Sequence, residues 1–283
     1  MFKNRWTVEQ ACALAPAANI VLIEAASNSY ADLFIAVTLA SNPPYNASVV
    51  SMSWGGVEFD GEQQYDSHFI NMVNGLGQPV TFTAATGGGG HGTIYPSTSP
   101  FVVAVGGTTL ALSTPLPLPN PLQLDYGHET AFSGSGGGIS AYEPEPSWQD
   151  TACAPYSPNG FRCVPDISAD ANPATGVPVY DTYSEGGWVE EGGMSTPDWA
   201  AFFTLVNSGR VLSGKNTLSL AAQDLYTLYY NSSTYAMDFH DITQGDNGGC
   251  GLLCDAGPGY DLVTGIGSYQ AQNLWAAMVA DPN

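Results

Sequence analysis

A serine between a glycine turn and an apolar segment is the residue of this chain best placed for nucleophilic chemistry. Ser195 follows Gly192 and Gly193 and stands two residues before Pro197, and a proline in the first turn is typical of a helix start. There the hydroxyl would lie at the positive end of the helix dipole, which suits a nucleophile. The segment alone more often indicates an N-cap, the commonest role of a serine before a helix.

Two carboxylates flank a glycine-rich loop near the C-terminus. Asp241 and Asp261 enclose a loop that contains Gly257 and Gly259, and such a loop leaves many backbone carbonyls free. Ca²⁺ takes six to eight hard oxygen ligands from flexible loops of this kind. On spacing alone, a solvated turn explains the pattern as well as a cation site does.

Two short glycine-containing segments could receive an extended peptide. Glycine lets another backbone approach closely, and a peptide can then pair with the segment as an added strand. Ordinary turn formation is the alternative for both. The residues are Ser53, Trp54 and Gly55 in the first segment and Ser135, Gly136, Gly137 and Gly138 in the second.

The five cysteines fall into two close pairs and one single residue. Cys153 and Cys163 are ten residues apart, and Cys250 and Cys254 are four apart, which favours two short-loop disulfides in an oxidising compartment. Free thiols in a cytosolic protein are the alternative. Zinc is disfavoured because no histidine or second cysteine pair stands at ligand spacing beside either pair. Cys12 lies in an apolar segment and is predicted to be a small core residue.

The elements that must position these residues follow from the apolar runs. Runs bounded by Gly, Pro or polar residues alternate with helical spacing, which is typical of a buried parallel sheet with crossover helices. The predicted strands are residues 20–24, 48–53, 80–85 and 102–105, and the predicted helices are 30–40, 65–74, 196–206 and 218–229. Residues 108–142 are predicted to form hairpins and loops. With neither a linker nor a repeat in the sequence, we expect one domain spanning residues 1–283.

Charge excludes one class of partner. The 283 residues include 5 Lys and Arg against 26 Asp and Glu, a net charge of −21, and so few cations cannot neutralise a phosphate backbone. We therefore expect no nucleic-acid partner. No apolar run reaches the roughly 18 residues of a membrane span, so no membrane partner is expected either. Because carboxylates protonate in acid, such a surface suits an acidic exterior.

Several short motifs follow one another in order along nearly the whole chain. They lie at residues 49–55, 95–96, 105–110, 135–138, 146–149, 165–168, 192–195 and 241–261. In this order they closely resemble the sedolisins, the serine-carboxyl peptidases. The resemblance implies a subtilisin-like α/β fold with a mostly parallel central sheet flanked by helices. It also implies activity at acid pH, secretion with a propeptide and one structural Ca²⁺.

The resemblance also assigns roles to individual residues. Ser195 takes the nucleophile position, and the two glycine-containing segments hold the substrate in extended form. The implied calcium ligands are the carboxylates of Asp241 and Asp261 and the carbonyls of Ile242, Gly257 and Gly259.

Three catalytic positions depart from the family pattern. In the family, a Glu and an Asp four residues apart lie one helical turn apart on the same face, the Glu as base toward serine and the Asp orienting it. Lys3 and Thr7 stand at these positions here. A third acid of the family, which donates to the oxyanion, is replaced by Gly88. Losing one such donor alone typically costs about 10²–10³ in rate.

The family's domain also has strands and a helix before the catalytic helix, one of the strands lying inside the sheet. A chain that starts at Met1 cannot supply them, so we expect an N-terminally incomplete domain whose sheet exposes an edge. A fragment or misread start of a longer protein explains this, as does completion by another chain, such as an N-terminal segment or a propeptide.

The leading hypothesis is a secreted sedolisin homologue that no longer cleaves peptides efficiently. Such a pseudopeptidase would keep the fold, the calcium loop and a groove for a peptide or unfolded protein. The alternative is an active, secreted acid-pH endopeptidase that uses Ser195 with a relocated base, and a non-functional gene remnant is the third hypothesis. The candidate relocated groups are Glu9, Asp125, His128, Glu129, Glu190 and Glu191.

Overall fold

The central sheet is mostly parallel. The computed structural model describes residues 3–113, 126–181 and 186–282, without the side chains of residues 3–6. Strand β1 (Val49–Met52) runs parallel to β3 (Thr81–Ala85), and β3 runs parallel to β5 (Val103–Leu112). Strand β5 also pairs in parallel with β9 (Ile167–Asp170) and antiparallel with β6 (Tyr126–Ala131). The sheet is thus centred on β5.

Smaller two-stranded ladders surround this sheet. They pair β2 with β4, β7 with β8, β10 with β11, and β12 with β13. Their bounds are Gly56–Val57 (β2), Ile94–Tyr95 (β4), Gly138–Pro144 (β7), Phe161–Val164 (β8), Val177–Asp181 (β10), Gly187–Glu191 (β11), Phe239–His240 (β12) and Ser268–Tyr269 (β13).

The helices flank the sheet. The longest, α4, packs across β1, β3, β5 and β9 and also contacts α1 and α7. Fully buried Trp199 lies on its sheet-facing side and donates its indole N–H to the carbonyl of Ser168 at 2.9 Å. The helices are α1 (Lys3–Leu14), α2 (Tyr30–Ser41), α3 (Asp150–Cys153), α4 (Ser195–Leu212), α5 (Ala221–Tyr229), α6 (Tyr235–Asp238) and α7 (Ala271–Ala280), with 3-10 turns at Glu62–His68 and Gly251–Leu253.

Most predicted elements are confirmed with shifted ends. The strands expected at 48–53, 80–85 and 102–105 are β1, β3 and the start of β5, and the helix expected at 30–40 is α2. The helices expected at 196–206 and 218–229 lie within α4 and around α5. The hairpin region of 108–142 contains the end of β5 together with β6 and β7, and its residues 114–125 lie outside the described part.

The helix predicted at residues 65–74 is wrong. The segment contains the end of the Glu62–His68 3-10 turn and then irregular turns. Asn71 has φ 49°, a left-handed conformation that a right-handed helix cannot contain. The Asn74 carboxamide oxygen accepts from the amides of Leu76 and Gln78 at 3.0 and 3.1 Å. Local side-chain bonds of this kind compete with the helix.

The strand predicted at residues 20–24 is also wrong, because this segment has no strand pairing. Its side chains Ile20, Val21 and Leu22 are 38, 49 and 50% exposed. Within the described ranges, β1 pairs with β3 alone, so its other side is an edge of the sheet. An apolar β pattern becomes a strand only where a partner strand supplies its hydrogen bonds.

The predicted core position of Cys12 is wrong as well. Cys12 is a free, exposed cysteine of α1, because α1 turns its other side toward α4.

Among the described residues, no helix is both long enough and apolar enough to cross a bilayer.

A buried ion pair lies where β5, β8 and β9 meet. Arg162 and Asp166 are fully buried, and their side chains approach to 2.7 Å. Asp166 also accepts from the amide of Ala104 in β5 at 2.8 Å, and Arg162 donates to the carbonyl of Cys163 at 2.7 Å. Burial lowers the pKa of Arg162, but the charge of Asp166 outweighs burial and the pKa is raised. The buried guanidinium of Arg162 therefore depends on Asp166 as its counter-charge.

Replacing Asp166 with Asn should cost about 3–5 kcal/mol of unfolding free energy, because it leaves a buried guanidinium without its counter-charge. Chemical denaturation of both proteins at the same pH measures this difference. The control is Asp60→Asn, which removes an exposed carboxylate and should change stability by less than about 0.5 kcal/mol. Equal losses from the two substitutions would contradict the structural role of the pair.

Candidate functional site

The turn before α4 sets the position of Ser195. A side chain at Gly192 would place its Cβ 2.4 Å from the backbone nitrogen of Pro173 and 2.6 Å from the carbonyl oxygen of Ala171, so only glycine fits. The amide of Gly193 donates to the same Ala171 carbonyl at 2.8 Å. The turn is therefore pinned against the chain that follows β9, and Ser195 becomes the first residue of α4.

The hydroxyl-bearing residue itself is buried. Ser195 is only 6% exposed, and in the described part of the chain no carboxylate or imidazole hydrogen-bonds to its side chain. A serine nucleophile needs a base within hydrogen-bond reach and a path for the substrate carbonyl. In the conformation described, no such base is hydrogen-bonded to Ser195.

One carboxyl lies a single helical turn beyond Ser195. Asp198 has its Oδ1 buried without a hydrogen-bond partner, and burial, followed by the nearby charge of Asp170, raises its pKa to about 7 despite a hydrogen bond from Gln10. Burial likewise raises the pKa of Asp170 to about 6. The sequence analysis did not weigh Asp198 as a base, because its burial and its raised pKa arise from tertiary packing.

The three replaced catalytic positions lie as follows. Lys3 and Thr7 are both in α1, which packs against α4, and the side chain of Lys3 lies outside the described residues. Gly88 is exposed on the loop after β3, where an added Cβ would meet no atom within 4 Å. A larger side chain would fit at residue 88, so lack of space does not explain why glycine stands at the position of the family's third acid.

The proposed relocated bases are dispersed. Glu129 is held by the hydroxyls of Thr108 and Ser268. Three others, Glu9, His128 and Glu190, are exposed on α1, β6 and β11. The remaining candidates are Glu191, which pairs with Val177 across β10–β11, and Asp125, which lies outside the described residues.

The first candidate peptide segment is accessible. Ser53 and Gly55 are exposed and Trp54 is half-buried, directly after β1. Trp54 meets Phe34 edge-on at 5.8 Å between ring centroids, which anchors the segment to α2. The backbone on either side of Trp54 is therefore fixed and open to solvent.

The second candidate segment is buried. Ser135, Gly136, Gly137 and Gly138 are all covered, and the amides of Gly136 and Gly137 donate to loop carbonyls after β3 at 3.0 and 2.9 Å. A Cβ on Gly136 would lie 1.9 Å from the carbonyl oxygen of Thr86. The glycines thus allow this segment to pack closely against the loop after β3. The segment is therefore a closed wall and does not offer an exposed strand edge to a peptide.

The predicted calcium ligands come together. Asp241 accepts the amide of Gly259 at 3.0 and 3.1 Å on its two oxygens. Asp261 accepts from the amides of Gly257, Val263 and Thr264 at 2.8–3.1 Å. Both carboxylates therefore engage the loop that carries the predicted carbonyl ligands of Gly257 and Gly259.

The chemistry of this donor set fits calcium. Two carboxylates and three carbonyls, the third from buried Ile242, are hard oxygen ligands, and water commonly completes the six to eight that Ca²⁺ takes. Burial raises the pKa of Asp261 to about 6 and raises that of Asp241, as expected where carboxylates lack a nearby cation. Loop amides satisfy both carboxylates here and would have to turn away for an ion.

Both cysteine pairs are bonded. The disulfides join Cys153 to Cys163 and Cys250 to Cys254. His91 lies beside the second pair, with ligand atoms of all three residues within 4.8 Å of one another. The amide of His91 donates to the backbone carbonyl of Asn247 at 2.8 Å, which brings His91 to the loop that contains Cys250 and Cys254. Because His91 is far from both cysteines in the sequence, residue spacing could not predict this contact.

Comparison with known proteins supports the geometry. Residues 9–236 match the family model Peptidase_S8, the subtilase family. The chain is 32% identical to kumamolisin of Bacillus sp. (strain MN-32), over 92% of this chain and 48% of that protein. It is 30% identical to sedolisin of Pseudomonas sp. (strain 101), over 81% of this chain and 40% of that protein.

A solved structure shares the architecture. Pseudomonas sedolisin, a serine-carboxyl proteinase complexed with two molecules of pseudo-iodotyrostatin, superposes with a TM-score of 0.71 at 26% identity, over 91% of this chain and 72% of that one. The chain spans less than half the length of the two curated relatives. The fold is thus the expected subtilisin-like α/β fold, with a mostly parallel sheet flanked by helices, and the chain belongs to the subtilase family as a member of its sedolisin group.

Proposed function

We propose that this chain is a catalytically impaired sedolisin-family peptidase, a pseudopeptidase that keeps the calcium loop and a peptide-binding groove. One observation carries the proposal: Ser195 is 6% exposed, and no described carboxylate or imidazole hydrogen-bonds to it. The identities of Lys3, Thr7 and Gly88 at the family's three acid positions support the same conclusion.

The loss of several groups at once is severe in kinetic terms. Base, orienting acid and nucleophile act as a unit, so removing one member already abolishes most of the rate enhancement. Removing an oxyanion donor costs about another 10²–10³. Binding and proximity are the terms that survive such losses, and they favour a protein that holds peptides without cleaving them.

The partner of this groove is a peptide or an unfolded protein segment. The exposed backbone around Trp54 can pair with an extended chain, which is a common mode of peptide recognition. Two disulfides support an oxidising, extracellular location. The net charge of −21 argues against nucleic acid as a partner.

Purified protein should not hydrolyse an unfolded protein substrate at pH 3–5 in a Ser195-dependent manner. The expected result is an equal, background rate for the parent and for Ser195→Ala, measured by release of new amino termini. The reason is that a serine hydroxyl without a base in hydrogen-bond reach does not lose its proton to become a nucleophile. Turnover that disappears in Ser195→Ala would contradict the proposal.

The alternative is an active acid-pH endopeptidase in which Asp198 is the relocated carboxyl. Its position one helical turn beyond Ser195 is the observation that favours it. A peptide aldehyde then should form an adduct on Ser195, detected as a mass increase on that residue, and Asp198→Asn should remove both adduct and turnover. Absence of the adduct at saturating aldehyde would leave only the pseudopeptidase.

Calcium should stabilise the folded protein through Asp241 and Asp261. A ligand present at 100 times its Kd adds about 2.7 kcal/mol, so chelation should lower the melting temperature by several degrees, and Asp241→Asn should lose this response. Asp255→Asn alters an exposed acid of the same region and is the matched control. An unchanged melting temperature on chelation would refute the calcium site.

A further inference from the structure

Three buried acids converge where the Glu62–His68 3-10 turn packs against β7. Glu62 and Asp66 lie in the Glu62–His68 3-10 turn, and Glu143 lies in β7, which packs against that turn. They are 0, 5 and 0% exposed. We call Glu62, Asp66 and Glu143 the carboxyl cluster.

The hydrogen bonds of the cluster do not compensate three negative charges. Glu62 accepts from the amide of Phe59 at 2.9 Å and from the hydroxyl of Thr98 at 3.3 Å. Asp66 accepts from the Tyr95 hydroxyl at 3.0 Å. Both oxygens of Glu143 are buried without a hydrogen-bond partner among the described residues. An ionised carboxylate in that setting is strongly disfavoured, so Glu143 is held neutral.

The charged groups around the cluster add to this effect. Glu58 lies beside it and is the acceptor for Ser140, Thr93 and the amide of Ala141. The facing phenols are Tyr95 and, from α2, Tyr30. The facing cation is Arg162 of β8, which already binds Asp166 at 2.7 Å. No described cation is in direct contact with the cluster.

The pKa shifts agree with the geometry. Burial raises the pKa of Glu62 to about 7, with the neighbouring Glu58 contributing further. Burial and then the charge of Asp66 raise the pKa of Glu143 to about 8. Burial also raises the pKa of Asp66, although the hydrogen bonds it accepts oppose the shift.

The cluster sits at the joint between the two candidate peptide segments. The 3-10 turn follows the segment that ends at Gly55, through β2, and β7 continues directly from the segment that ends at Gly138. Glu58 links the two sides through Ser140, and the Gln63 carboxamide donates to the carbonyl of Tyr142 at 2.5 Å. Contact between the turn and β7 therefore fixes the spacing of the two segments.

We propose that the carboxyl cluster is a pH-sensitive joint that holds the 3-10 turn against β7 while its acids are protonated and opens as they ionise. In acid, the neutral cluster packs as an ordinary buried interface. Toward neutral pH, mutual repulsion and the need for hydration separate the turn from β7. The consequence for peptide binding rests on the proposed function, whereas the structural transition does not.

The direction of the pH dependence follows from proton binding. A carboxyl with a raised pKa in the folded state binds more protons folded than unfolded, so its stabilising contribution is complete below the unfolded pKa of about 4.5 and is lost as pH rises through the folded pKa. For Glu62 and Glu143 this window extends from about pH 5 to 8. Within it, the folding equilibrium constant should fall tenfold per pH unit for each such proton.

The test compares denaturation midpoints of the full chain from pH 4 to 9 with those of Glu62→Gln and Glu143→Gln. Each variant removes one titrating carboxyl. Above pH 5 its folding equilibrium constant should therefore fall more slowly with pH than that of the parent, by a factor of up to ten for each pH unit. Glu190→Gln alters an exposed acid and should keep the parental slope. Comparing slopes also separates the cluster from other buried acids, since these stay unchanged in every variant.

Hydrogen exchange gives the local readout. Amides of residues 56–68 and 138–144 should exchange faster at pH 8 than at pH 5 in the parent, after correction for intrinsic rates. This increase should be smaller in Glu62→Gln and in Glu143→Gln, because each variant keeps the other titrating acid. Parental slopes and parental exchange in both glutamine variants would overturn the proposal. If one variant does not fold, the other decides.

Peptide binding is measured separately with an unfolded, carboxymethylated protein as the probe. The expected result is that binding is lost between pH 5 and 8 in the parent and that each glutamine variant loses less of it over the same range. No binding at any pH, together with the altered slopes, would refute the groove of the proposed function and leave the joint established.

Discussion

The buried pair of Arg162 and Asp166 is the interaction on which the rest of the structure depends. Asp166 binds the amide of Ala104 and the guanidinium at once, so it joins the central strand β5 to the start of β9 and to β8. Its backbone carbonyl accepts from the amide of Ile266 at 2.8 Å, which brings the segment that follows Asp261 to the same point. Separating the two buried partners would leave each one uncompensated in the protein interior, which is energetically costly. The pair therefore holds these segments closely together.

The small number of Lys and Arg residues determines how the buried acids are compensated. With 5 Lys and Arg against 26 Asp and Glu in the sequence, the buried carboxyls of Glu143, Asp198 and Asp261 form no ion pair with another described residue. Burial raises the pKa values of Glu143, Asp198 and Asp261. The loop between Asp241 and Asp261, the first turn of α4 and the carboxyl cluster are three outcomes of the same condition. A metal, a proton or water must supply the compensation that a cation supplies elsewhere.

Sequence patterns predicted those elements whose local and tertiary preferences agree. β1, β3 and α2 were predicted because apolar residues recur with the strand or helix period and because a packed surface receives each of them. The two failures show the opposite case. Asn71 takes a left-handed conformation in a segment with helical spacing, and Ile20, Val21 and Leu22 have a strand pattern without a partner strand in the described part of the chain. Periodicity reports which residues could share a face, but not whether another element covers it.

For the site, motifs in order were sufficient to identify the family and the residues that stand at its catalytic positions. The presence of Lys3, Thr7 and Gly88 is a property of the sequence alone. Only the tertiary structure decided that Ser195 is buried, that the segment ending at Gly138 is a closed wall, and that His91 lies beside Cys254. The physical reason is that residue type is encoded locally, whereas burial, proton affinity and proximity arise from packing between segments far apart in the chain.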